Sequence, residues 1–259
     1  MKRLNRLFIV MVFLLTPIFV FAGIADALDI ILEPANVQRE VGGKVRVHIY
    51  ADNAVDLISM GVKVSFDPSV LQVQDASKYE NVEEGWVMDV DGDSATTDDQ
   101  YTTPPMELDN TNGTVTMIGG RLTGSSTQGL SGKVLLGWIV FEAIADGTSQ
   151  LSVDLGKYHP NPGETFVNFA TLDQGADEPT NVPADLGAIC VLADACEGDM
   201  NGNGLVAFDD YTLISAAWAS KFGDENYNPA CDLDADGLIK FSDYTLFSAD
   251  WKKTCSCPY

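Results

Sequence analysis

The sequence predicts a mainly β protein: an antiparallel sandwich over most of the chain, then a small α module. Three observations carry that prediction. From about Leu28 to Val191 short segments alternate apolar and polar residues at period two, and glycine- or proline-bearing turns such as VGGK, FDPS, NTNG and ADGTS interrupt them. An acidic loop beginning at Asp199 returns thirty-three residues later at Asp232, each copy running into a short apolar segment. All five cysteines, Cys190, Cys196, Cys231, Cys255 and Cys257, lie in the last third.

Residues 1–27 stand apart. Lys2, Arg3 and Arg6 precede the apolar run LFIVMVFLLTPIFVFA, and small-residue cleavage patterns end at Ala22 and at Ala27. This is the pattern of a secretory signal peptide, with a retained anchor as its rival because the run nearly reaches bilayer length. The protein is therefore expected to be secreted, extracellular or cell-surface associated, with no transmembrane segment after signal removal. Asp and Glu number 38 against 15 Lys and Arg, and the net charge of −23 becomes −26 when Lys2, Arg3 and Arg6 leave with cleavage after Ala22. That sign makes nucleic acid and anionic membranes poor partners and divalent cations better ones.

The sandwich is assigned to 28–192. In KVRVHIYAD, Val45, Val47, Ile49 and Ala51 share one face, while Lys44, Arg46, His48 and Tyr50 form a polar one. MGVKVSF repeats the alternation with Met60, Val62, Val64 and Phe66 inward, and QLSVDL does so with Leu151, Val153 and Leu155. Further strands are expected at TVTMI and TFVNFATL. In KVLLGWIVFEA the set Val134, Leu136, Trp138, Val140 and the opposite set Leu135, Ile139, Phe141 are both apolar, so both faces need cover, from the same chain or from a partner. The acidic stretch from Tyr79 to Asn110 is longer than a hairpin turn. Within it Asp89, Asp91 and Asp93 alternate like the start of a calcium loop, a weak third site at best, since Ser94 replaces the turn glycine.

The repeat carries the chemistry. Counting from Asp199, positions 1, 3, 5 and 12 are Asp199, Asn201, Asn203 and Asp210, with Gly204 at position 6 and the Leu205 carbonyl at position 7. The second copy has Asp232, Asp234, Asp236 and Asp243, with Gly237 and Leu238. Oxygen ligands at these positions around a glycine turn wrap one hard cation in a single loop, so two Ca²⁺ sites are expected. The second loop has more carboxylates and should bind more tightly unless Lys240, at position 9, offsets them. After each loop, DYTL(I/F)SA(A/D)W places Leu213, Ala217 and Trp218, or Leu246 and Trp251, on a short amphipathic helix. The clustered cysteines favour disulfides over zinc, with one thiol left over.

Residues 196–259 resemble a type I dockerin, a module of two calcium loops, each followed by a helix. In that family positions 10 and 11 help to choose the partner, which the resemblance carries to Phe208, Asp209, Phe241 and Ser242; Ala207 and Lys240 depart from the usual Asn or Asp at position 9. The stretches VGGKVRVHIYADN, ISMGVKVSFDPSVLQV and GLSGKVLLGWIVFEAIADGTSQLSVD resemble a cohesin, the dockerin's receptor, which implies a jelly-roll sandwich. Cohesin and dockerin in one chain imply a non-catalytic adaptor or scaffold in polysaccharide-degrading or cell-surface assemblies, with cohesin- or dockerin-bearing secreted proteins as partners. Capture of the module by its own β domain looks strained, because about eight residues, under roughly 30 Å of chain, separate the last strand from Asp199. A clasp from Cys196 to Cys255 or Cys257 would join the module's ends. The alternative is a polysaccharide-binding module displayed through a dockerin, using aromatics such as Trp86, Tyr101 or Tyr158. An enzyme is not expected, since His48 and His159 lie near no nucleophile motif.

Overall fold

The computed structural model describes residues 28–78, 106–120, 129–154, 170–171, 175–176, 186–255 and 257. The signal peptide, the aspartates 89, 91 and 93, the aromatics Trp86, Tyr101 and Tyr158, and His159 lie outside the described residues. The described elements run β1 (Asp29–Glu33), β2 (Asn36–Arg39), β3 (Lys44–Ser65), β4 (Leu71–Lys78), β5 (Met106–Asp109), β6 (Thr114–Gly120), β7 (Leu130–Ala143), β8 (Gly147–Gln150), β9 (Ser152–Asp154), β10 (Ala170–Thr171), β11 (Gly175–Ala176), β12 (Ala188–Val191), α1 (Phe208–Ala216) and α2 (Phe241–Ala249). A 3₁₀ turn at Pro229–Cys231 separates the helices.

The expected sandwich is present, and β3 organises it. Its first half pairs with β1 and β7, its second half with β6 and β9, so one bent strand serves both layers around a single apolar core. The pairing is antiparallel throughout this large sheet; in a second sheet of three strands β12 runs antiparallel to β8 but parallel to β2. The sequence places separate strands at KVRVHIYAD and MGVKVSF, whereas the structure joins them. The cause is a change of phase. The residues of the apolar core fall at odd positions from Val45 to Ala51 and at even positions from Met60 to Phe66, and the register slips at Ala54 and Leu57, where Asn53 and Asp56 take positive φ.

The same device explains KVLLGWIVFEA. Ile49 faces Gly137 and Tyr50 faces Leu135, leaving Leu136 as the extra residue of a bulge. The core set becomes Val134, Leu136, Ile139 and Phe141, and Trp138 turns to the other face. The cover for that other face comes from the chain's own C-terminal module: the Phe222 ring lies 5.0 Å from that of Trp138. The module therefore touches its own β domain through this side, although the short connection was expected to strain such an approach. A short connection does not strain self-contact, because the module lies directly beside the strand that leads into it, and Cys190 of β12 is bonded to Cys257.

Within the module, a second, smaller core collects Cys196, Met200, Val206, Ile214, Ala217, Cys231, Leu233, Ile239 and Phe247. The helix anchors are Ile214 and Phe247, one residue beyond the expected Leu213 and Leu246, which are only partly buried. Trp218 and Trp251 fall just past the helices and are 45% and 42% exposed. Cys196 pairs with Cys255, and the odd cysteine is Cys231, whose thiol is pushed up to about 12 by burial and then by the carboxylates of Asp243, Asp210 and Asp232.

Candidate metal loops and the face that covers them

Each loop is shaped by its own aspartates. Asp199 Oδ1 accepts from Asn203 N at 3.1 Å and its Oδ2 from Gly204 N at 3.0 Å; Asp232 repeats both bonds with Asp236 N at 3.1 Å and Gly237 N at 2.9 Å. Gly204 and Gly237 need φ of 88° and 84°, which is why position 6 is glycine. The last aspartate closes the loop and caps the helix. Asp210 accepts from Met200 N, Asn201 N and Ala207 N, and Asp243 from Leu233 N, Asp234 N and Lys240 N. Both loops then lean on the opposite half of the repeat. Val206 exchanges backbone bonds with Lys253 and Lys252, the segment after α2, and Ile239 with Ala219 and Ser220, the segment after α1. This reciprocal clamp is the physical sense of a thirty-three-residue repeat.

The copies differ in charge. In the second, one oxygen from each of Asp232, Asp234 and Asp236 lies within 4.8 Å of the other two. Burial raises Asp232 to about 6, opposed by the hydroxyl of Tyr227 at 2.6 Å, by Gly237 N–H and by Arg46. Lys240 Nζ pairs with Asp236, the contact through which position 9 would offset the charge of this loop. In the first copy Asn201 and Asn203 each donate through Nδ2 to Asp209 Oδ2 at 2.6 Å, and Asp199 is raised by burial first. Among the described residues no lysine or arginine pairs with an acidic residue of this loop.

The four residues proposed to select a partner are placed unequally. Phe208 and Phe241 stand 68% and 71% exposed at the helix starts; Asp209 is occupied by the loop-one amides, and Ser242 is half-buried, its Oγ without a hydrogen-bond partner. The sequence reading missed the rings that join them. Phe208 lies 5.6 Å from Tyr211, Tyr211 6.4 Å from Phe247, Phe247 6.0 Å from Tyr244, and Tyr244 6.2 Å from Phe241, a continuous row with only Phe247 buried. Equivalent Tyr positions in both copies are the signal that was available.

The module's other side packs on the polar face of β3. His48 is 1% exposed, stacked on Tyr227 at 5.7 Å and edge-on to Phe222 at 5.1 Å; burial, then Arg46 and Lys133, lower its pKa to about 3. Arg46 donates from Nη2 to Ala235 O at 3.1 Å and brings Nε to 3.7 Å from Asp232. Gln38 accepts from Cys196 N, and Glu197 accepts from Glu40 N. A cleft of about 500 Å³ remains beside this contact, lined in part by Tyr50, Lys133, Asp224 and Tyr227. The residues that β3 presents to the module, Arg46 and His48, are polar or charged, which is why β3 read as solvent-facing.

No family model matches the chain, and no curated protein matches it. Among the solved structures similar to it are cohesin domains, aligned with its N-terminal part. A chain of a type I cohesin–dockerin complex from Clostridium thermocellum is 16% identical, with a TM-score of 0.43, over 64% of this chain and 100% of that one. The seventh ScaB type I cohesin of Pseudobacteroides cellulosolvens is 17% identical, with a TM-score of 0.39, over 65% and 94%. A non-cellulosomal cohesin from the archaeon Archaeoglobus fulgidus is 15% identical, with a TM-score of 0.42, over 64% and 92%.

Proposed function

We infer that the chain is a secreted, non-catalytic adaptor with a cohesin-like β domain and a dockerin-like module that binds two Ca²⁺. The observation that carries this reading is the orientation of the module. Its inner side rests on β3 and β7, while the ring row Phe208–Tyr211–Tyr244–Phe241 is left outward, in pseudo-twofold relation, free for a receptor. The β domain would receive a dockerin-bearing protein on the sheet region of β5, β6 and the second half of β3, away from its own module.

Calcium fits the donor set. Asp199, Asn201, Asn203, Leu205 O and Asp210 would hold one ion, and Asp232, Asp234, Asp236, Leu238 O and Asp243 the other; all offer hard oxygen donors. Asp232 is fully buried and its charge is opposed by desolvation, the position of a carboxylate that a cation would relieve. Calcium supplies charge compensation that ties loop to helix; the residues themselves set the turn and cap the helix.

The test immobilises the full chain and identifies what it retains from the source organism's secreted proteins, with calcium and then with chelator. Recovery of cohesin-type receptors that is lost with chelator and with Phe208→Ala/Phe241→Ala supports the adaptor. Recovery indifferent to both overturns it, and retention on insoluble polysaccharide alone moves the sugar-binding alternative forward.

A further inference from the structure

We propose that the β domain is part of the second metal site: Arg46 lowers the calcium affinity of loop two, and docking of the module onto β3 and calcium binding in that loop oppose one another. The inference rests on the calcium reading above. Its ground is a charge balance that crosses the interface. Loop two gathers Asp232, Asp234, Asp236 and Asp243, and two cations face them: Lys240 from its own loop and Arg46 from β3. Arg46 is held for this. Its guanidinium lies 5.7 Å from the Trp138 ring centroid, Nη2 is tied to Ala235 O, and Nε is buried without a hydrogen-bond partner, 3.7 Å from Asp232 Oδ2.

The two oxygens of Asp232 divide the work. Oδ2 takes Tyr227 and Gly237 N–H and faces Arg46, while Oδ1 takes the N–H of Asp236 within the loop. A cation in the loop and the guanidinium behind it would therefore share one buried carboxylate. Like charges so placed repel, and through a partly buried site the effect is worth about three- to tenfold in affinity. Reciprocity fixes the converse: calcium in loop two weakens the hold of Arg46 on the module by the same factor. Loop one has no such neighbour among the described residues. The affinity order suggested by counting carboxylates is thereby narrowed or reversed.

The experiment titrates CaCl₂ into the full chain and follows the amide resonances of Gly204 and Gly237 separately, since each donates to the first aspartate of its own loop. Arg46→Met keeps the apolar stem over Trp138 and removes the charge; Arg46→Gln serves if the Met chain fails to fold, and Arg46→Lys restores charge. The expected result is a Gly237 midpoint about three- to tenfold lower in the neutral variants, an unchanged Gly204 midpoint, and wild-type behaviour for Arg46→Lys. A Gly237 midpoint that stays or rises, a Gly204 midpoint that moves equally, or an Arg46→Lys chain that behaves like Arg46→Met overturns the coupling. Wild-type resonances indifferent to calcium overturn the calcium reading itself.

Discussion

Mild acid should weaken the protein through one buried imidazole. His48 is enclosed by Tyr227, Phe222 and Tyr50, with Arg46 and Lys133 adding positive potential, and its pKa falls from 6.5 to about 3. The folded state thus binds fewer protons than the unfolded chain between these values, so the stability present above pH 6.5 is lost progressively as pH falls toward 3. At about pH 5 the loss from this residue is about 2 kcal/mol, and at pH 7.5 it is close to ~0. For a chain of this size that is a drop of about 4–8 °C in melting temperature. Asp232 works in the opposite sense, because its raised pKa favours the folded state as pH falls through about 6. Comparing wild type with His48→Phe in saturating calcium cancels that contribution. The variant keeps a ring against Tyr227 but cannot take a proton, so its melting temperature should fall less over the same interval. Equal losses in the two chains would refute the assignment of a neutral, enclosed His48.

Three further outcomes follow from the interface and the cysteines. Phe222→Ala removes a half-buried ring shared by Trp138, His48 and Tyr227; urea unfolding should show a loss of about 2–3 kcal/mol, below the range for a fully enclosed Phe. Replacing Cys196 and Cys255 together by serine leaves the outer Cys190–Cys257 ring closed, so only a short closure is released and the cost should be about 2–3 kcal/mol by the chain-entropy relation, read from denaturant midpoints. Cys231 is fully buried with its thiol raised to about 12, so a maleimide should label it only as fast as the module opens, and rapid labelling of the native chain would contradict its placement.

Local periodicity revealed what single segments could reveal. The inward faces of KVRVHIYAD and MGVKVSF were legible because each keeps its own phase; their union into β3 was not, since two bulges change the phase between them. Period two made Arg46 and His48 look solvated. Nothing local distinguishes a polar residue facing water from one facing another part of the chain, and here the module supplies a carbonyl to Arg46 and a ring to His48. The turn of each loop was legible because spacing dictates which aspartate reaches which amide, whereas Tyr227 and Arg46, which reach Asp232 from outside the loop, were not. The exposed row from Phe208 to Phe241 needed the pairing of α1 with α2, which a linear pattern of tyrosines implies only once the twofold relation is known.

The bond between Cys190 and Cys257 has a mechanical meaning for the adaptor proposed above. It closes a covalent ring around the whole C-terminal module, from the last residues of β12 to the segment beyond α2. Tension entering at the ring row would reach β12, which is held by β2 and β8, from both ends of the module, along the backbone and through sulfur from Cys257. The module could then reshape under load while both of its ends stay fixed to the same strand.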